Sequence, residues 1–217
     1  MKKSPQYYSS SRAEKIKENI RMQYLFFRDI APNLGFKVNL QNINYAMTCI
    51  HGQAPNGVHL LMFYVCVKSM ASEEQIKEWL PKIKNLDILG CYAQTELAHG
   101  SDVRGLQTTA TFDKKTDEFV IHTPNIGAAK FWPGELARMA THGVVIARMI
   151  IDGTDYGPMT FLVQFRSLAD HSFLPGIETG DIGSKHGYNA KDNGYAIFNH
   201  FRVPRSALLS RYIQVDR

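Results

Sequence analysis

The chain has 217 residues, 44% of them hydrophobic and 11% aromatic, which is ample for a buried core in one large domain or two small ones. Its 25 lysines and arginines against 20 aspartates and glutamates leave a net charge of +5; the basic residues are dispersed apart from pairs such as Lys2–Lys3 and Lys114–Lys115, so a solvated surface explains them as well as a phosphate-bearing ligand, and no nucleic-acid partner is expected. Three cysteines, Cys49, Cys66 and Cys91, form no CxxC pair, and their odd number argues against a closed disulfide framework and for a reducing compartment.

The amino terminus, MKKSPQYYSSS, has no apolar segment behind its lysines and does not read as a secretory signal. From Ser11 the stretch SRAEKIKENIRMQYLFF predicts a helix: Ser11 and Glu14 have capping-box spacing, and Ile16, Ile20, Tyr24 and Phe27 recur every three or four residues until Pro32, Asn33 and Gly35 end it. A second apolar segment covers 59–70. SEEQIKEWLPKI then repeats the helical signature, with Ser72 and Gln75 as the cap and Ile76, Trp79, Leu80 and Ile83 as one face. Residues 1–88 therefore read as helical. The longest apolar runs, HLLMFYVCV and VVIA, fall short of the roughly 20 residues that span a bilayer, so a soluble chain is expected.

From about Ile88 the pattern changes to short runs bounded by turn residues. Strands are predicted at 88–94, 104–112, 118–123, 142–151, 159–167 and 194–203, with DKKTDE, Asp152-Gly153 and Pro175-Gly176 as turns. After Pro204, RSALLSRYIQV looks like the start of another helix. The expected fold is α+β: a partial helical domain over 1–88, a mainly antiparallel, β-barrel-like middle domain over 89–205, and over 206–217 the start of a truncated helix. That order suggests a fragment lacking a carboxy-terminal helical domain.

Several chemistries have no motif here. HExxH, GxxxxGK[ST], GxGxxG and GxSxG are all missing and the eight histidines are scattered, so metal catalysis and P-loop chemistry are not expected. The glycine-rich GDIGSKHG at 180–187 is read as a wide loop that needs backbone freedom. Two polar clusters interrupt the strand pattern: Gln94 to Arg104, and the segment of Lys130, Phe131, Trp132, Pro133 and Gly134. Strand ends are where scaffolds present groups to ligands. A tryptophan beside a Pro-Gly turn offers a flat wall, and a threonine hydroxyl can bond a ring heteroatom, so the two clusters together could hold an aromatic cofactor. Each residue also has a plainer role: Trp132 as a core or rim residue, Thr95 as a strand-end cap, His99 as a satisfied polar contact. A hydrolase using Ser101 with His99 is disfavoured, because the two are badly placed to face each other and no orienting acid is evident.

The stretches YAQTELAHGSDVRGLQTTATFD, DEFVIHTP, KFWPGELARMATHGVVIARMI and PGIETGDIGSKHGYNAKDNGYAIFNHFRVPRSALL, in that order, resemble the peroxisomal acyl-CoA oxidases. The resemblance covers residues 58–213, most closely from Leu89 onward, and its shorter T-E-x-x-x-G-S-D form is shared with acyl-CoA dehydrogenases. It implies FAD bound between the β domain and a carboxy-terminal helical domain. Thr95 would contact the flavin ring, Gly134 would lie against it, Trp132 would line it, and Glu96 would add backbone contacts; Ser101 would lie near the acyl-CoA. The reaction implied is α,β-desaturation of a fatty acyl-CoA with oxygen as electron acceptor, in a peroxisomal homodimer. Ala98, Phe131, Glu135 and His186 depart from the family's usual residues. The family's catalytic glutamate belongs to the domain expected beyond Arg217, so no catalytic base is assigned. A truncated, non-catalytic binding or regulatory protein is the alternative.

Overall fold

The computed structural model describes residues 4–35 and 55–216. Lys2–Lys3, Cys49 and positions 36–54 of the expected helical region lie outside the described residues. The chain divides into two compact units, Met1–Gly57 with Gly183–Asp192, and Val58–Ile182 with Asn193–Arg217.

In the first unit a short helix, α1 (Pro5–Ser9), precedes α2 (Arg12–Leu25). The capping box is formed as expected: the Ser11 hydroxyl accepts from the Glu14 amide, and Glu14 accepts from the Ser11 amide at 2.7 Å. One π-helical turn, Phe26–Ile30, carries the helix into α3 (Ala31–Asn33), and the chain leaves it at Gly35 with φ 68°. The buried stripe differs from the sequence reading. Ile16, Asn19, Met22, Gln23 and Phe26 are buried, whereas Ile20 and Tyr24 are exposed. The apolar period misleads because two polar residues occupy the inner face: Asn19 accepts from the Tyr7 hydroxyl at 3.2 Å, and Gln23 donates to Asn56. The glycine-rich loop of this unit is held by Arg12, which donates to the carbonyls of Asn189 (2.7 Å) and Lys191 (3.1 Å).

The second unit opens with a π-helical turn, His59–Phe63, that runs into α4 (Tyr64–Met70), followed by α5 (Glu73–Lys84) behind its Ser72–Gln75 capping box. Nine strands follow: β1 (Gly90–Ala93), β2 (Thr109–Asp113), β3 (Glu118–His122), β4 (Lys130–Gly134), β5 (His142–Ile151), β6 (Thr154–Gln164), β7 (Ile177–Asp181), β8 (Asn193–Phe198) and β9 (Phe201–Pro204). The first sheet has the order β1-β5-β2-β3-β9 with β6 on the other edge of β5; the second is β4-β8-β7. β1 and β2 run parallel to successive parts of β5, and every other pairing is antiparallel. Phe112, Phe119, Phe161, Phe165 and Phe198 form the centre of the core between them. The predicted run 194–203 is two strands, broken where His200 adopts φ 49°. Two strands escaped the sequence reading. β4 contains Pro133, and β7 (IETGD) lacks apolar alternation. The stretch after Pro204 is a single 3-10 turn, Arg205–Ala207, with no helix after it among the described residues. No helix among the described residues is long and apolar enough to cross a membrane.

A histidine fixes the joint between helix and sheet. His59 is fully buried; its Nδ1 accepts from the Gly90 amide at 2.9 Å and its Nε2 donates to the Ile83 carbonyl at 3.1 Å, which ties the end of α5 to the start of β1. A Cβ on Gly90 would overlap the Phe63 ring, so this crossing requires glycine.

Candidate functional site

Beyond Ala93 the chain leaves β1 and runs beside the segment that leads into β4. Three backbone hydrogen bonds join them: the amide of Phe131 to the Thr95 carbonyl, that of Leu97 to Ala129, and that of Ala98 to Gly127, each at 2.9 Å. The two polar clusters of the sequence are therefore brought together, with Thr95 bonded to the residue before Trp132.

A buried ion pair locks this clamp. The Lys130 side chain is fully buried, and its Nζ donates to Glu96 Oε1 at 3.0 Å, to the Gln94 carbonyl at 3.1 Å and to the Ile146 carbonyl at 2.6 Å. Glu96 receives further bonds from the Thr108 amide (2.8 Å) and hydroxyl (2.6 Å) and from the Gln107 amide (2.8 Å). Burial alone would raise the Glu96 pKa, but Lys130 together with the Thr108 and Gln107 bonds lowers it, so the carboxylate is charged. Burial lowers the Lys130 ammonium against the pull of Glu96. The backbone of Glu96 is engaged as well, its amide donating to the His99 carbonyl at 3.0 Å. The importance of Lys130 was not legible from its residue type; a lone lysine in a strand-like run usually faces solvent.

Thr95 is half-buried and its hydroxyl makes no hydrogen bond with the described residues. Trp132 is 49% exposed and sits at φ 79°, a left-handed conformation that costs a bulky residue about 1–3 kcal/mol. Its carbonyl accepts from Asn193 Nδ2 at 2.7 Å, and the buried Asn193 Oδ1 has no hydrogen-bond partner among the described residues. Gly134 is buried where the β4–β8 register shifts. Glu135 adopts φ 68°, a left-handed backbone conformation that glycine takes freely and other residues adopt rarely. Glu135 is nonetheless buried and accepts from the Val58 amide at 3.3 Å. Ala98 needs no such freedom, since its φ is negative and its side chain is exposed.

Ser101 is exposed at the start of a turn that Asp102 caps through the Gly105 amide at 3.0 Å. It does not pair with His99, whose Nε2 lies 2.9 Å from Gln107 Nε2. A serine-histidine hydrolase is not assembled here. Among the described residues no group of three or more metal-ligating side chains comes together.

What the clamp presents is a half-exposed indole and a hydroxyl with no hydrogen bond among the described residues, beside a Pro-Gly pair flanked by the left-handed Trp132 and Glu135. A planar ring bearing hydrogen-bonding heteroatoms fits that set. A sheet domain with helices ahead of it and this edge describes the middle domain of the acyl-CoA dehydrogenase and oxidase class. The family model for the acyl-CoA dehydrogenase middle domain matches residues 91–201, and that for the acyl-coenzyme A oxidase N-terminal region matches residues 1–89. Peroxisomal acyl-coenzyme A oxidase 1 of Arabidopsis thaliana is 48% identical over 210 residues, which is 95% of this chain and 31% of that protein. The solved structure of Arabidopsis thaliana acyl-CoA oxidase 1 superposes with a TM-score of 0.88 at 47% identity, over 94% of this chain and 31% of that one. An acyl-CoA oxidase-2 structure from Caenorhabditis elegans, bound with FAD, ascaroside-CoA and ATP, gives 0.87 at 38% identity, over 97% and 32%. The chain belongs to the acyl-CoA oxidase family and spans about a third of the length of these relatives.

Proposed function

We propose that this chain is the flavin-facing portion of an FAD-dependent acyl-CoA oxidase. The whole protein would convert a fatty acyl-CoA to the trans-2-enoyl-CoA, pass the electrons to oxygen to give hydrogen peroxide, and work as a homodimer in the peroxisome. The observation that carries this reading is the hydrogen-bonded clamp that ties the backbone of Thr95 to the residue before the half-exposed Trp132.

When bound, FAD supplies the hydride acceptor. The chain's own residues bind and orient. Thr95 offers a donor to a ring heteroatom and favours negative charge developing there, Trp132 walls one side, and Gly134 leaves space where a side chain would intrude. Glu96 and Lys130 keep the edge rigid. Ser101, exposed at the tip of the loop, is available to the acyl-CoA. No residue of this chain is assigned the α-proton, because Glu96 and Glu135 are both buried and bonded within the protein.

The test joins this chain to the carboxy-terminal region of a family member and reads flavin content by absorbance. Thr95→Val is expected to weaken flavin retention or shift its reduction potential, and Gly134→Leu to abolish retention by steric overlap. Normal flavin content and potential in both variants would place the cofactor elsewhere.

A further inference from the structure

On a different face of the second unit, α5, the β5–β6 pair and β9 enclose a cavity of about 420 Å³, within the size range of small-molecule sites. Its lining is part apolar, through Trp79, Leu162, Phe201 and Ala207, and part polar, with His142 and Gln164 beside Glu78 and Arg202. His142 and Gln164 are direct cross-strand partners, so their side chains share one face of the pair.

His142 is only 3% exposed. Its ring is fixed by the Trp79 indole, at a centroid distance of 5.6 Å, and by Nδ1 lying 3.0 Å from the Thr141 hydroxyl. Nε2 makes no hydrogen bond with any described residue. Burial, with a smaller contribution from Lys82, lowers its pKa to about 4, so the ring is neutral. Gln164 donates its amide to the Arg166 carbonyl at 2.7 Å, and its Oε1 has no partner among the described residues. The charges around the mouth are committed: Lys82 to Glu78, and Arg202 to Asp113 and Glu118. Two neutral side chains of the lining thus keep an unmet acceptor, His142 Nε2 and Gln164 Oε1.

We infer that this cavity binds a neutral, mainly apolar small molecule, one ring or a short chain, bearing a single hydroxyl directed at His142 Nε2 and Gln164 Oε1. The Thr141 hydroxyl donates to the Leu89 carbonyl, so His142 Nδ1 carries the ring proton and donates to that hydroxyl, and Nε2 is an acceptor like Gln164 Oε1; the one hydrogen of a ligand hydroxyl is shared between these two acceptors. A carboxylate would face two acceptor atoms, and the Arg202 guanidinium in the lining is already shared between Asp113 and Glu118. The site is independent of the flavin reading.

Cyclohexanol and cyclohexanecarboxylate serve as probes. The chain has two tryptophans, so Trp132→Phe leaves Trp79, in the cavity wall, as the reporter. Cyclohexanol is expected to shift Trp79 emission saturably, and the carboxylate to leave it unchanged. Gln164→Leu should weaken the alcohol about tenfold through loss of one hydrogen bond, and Ala207→Leu should abolish binding by filling the pocket. A linear, unsaturable response, equal binding of the carboxylate, or full affinity in a folded Gln164→Leu variant would overturn the assignment. Should Ala207→Leu fail to fold, the Gln164→Leu comparison still decides.

Discussion

Replacing Lys130 by methionine tests whether the buried ion pair, rather than packing alone, holds the edge proposed to face the flavin. The side chain is fully buried and supplies three donors. Methionine fills similar space but leaves Glu96 charged and buried with its remaining donors, and leaves the carbonyls of Gln94 and Ile146 without theirs. Removing one partner of a buried pair costs about 3–5 kcal/mol, because the survivor keeps its desolvation penalty. The sign of the pH effect separates this from a cavity effect. Without Lys130, the burial that raises the Glu96 pKa is opposed only by the Thr108 and Gln107 bonds, so its native pKa stands above the parent's. The folded variant then takes up a proton at a higher pH than the folded parent, and its deficit relative to the parent shrinks as pH falls from about 7 to about 4, through the carboxylate range. Urea unfolding of parent and variant at both pH values, followed by circular dichroism, measures the two deficits. A loss below about 1 kcal/mol that is the same at both pH values would refute the reasoning, since that is the scale of an exposed pair.

The buried histidines predict acid sensitivity in the parent. Burial lowers the pKa of both His59 and His142, the latter to about 4. The unfolded chain takes up protons near pH 6.5 while the native state does not, so stability falls as pH drops from about 6.5 toward 4, by about 3 kcal/mol for His142 alone. His142→Gln should flatten that slope, and a parent whose urea midpoint is constant between about pH 7 and about pH 4.5 would contradict the burial argument. At the helix-sheet joint, Gly90→Ala drives a methyl group into the Phe63 ring and should cost about 1–3 kcal/mol; a thermal midpoint equal to the parent's would show that Phe63 moves aside freely.

Much of the fold is local, and that part was legible. Both capping boxes, Ser11–Glu14 and Ser72–Gln75, mark their helices because the signal lies within one turn. β5 and β3 announce themselves by β-branched and apolar runs between turns. β4 does not, because it is a strand by pairing rather than by propensity: Pro133 removes a ladder donor, Trp132 turns left-handed, and the register shifts between Phe131 and Gly134. The buried stripe of α2 was misread for a related reason, since an apolar period marks an inner face only when its polar positions have no partner inside, and Asn19 and Gln23 both do.

The candidate site divides along the same line. Thr95, Trp132 and Gly134 stand in stretches that resemble a family, and the chain brings those stretches together through backbone bonds that need no particular side chain. The residue that fixes the geometry is Lys130, and nothing in its own neighbourhood marks it. Its partners Glu96 and Ile146 lie 34 and 16 positions away and meet it only because β1 and the approach to β4 converge beside β5. A charge buried this completely is unfavourable until the whole topology is in place. The clamp is therefore a consequence of finished folding, and on the proposed function variants that loosen the pair should lose bound flavin, read by absorbance, before they lose secondary structure, read by circular dichroism.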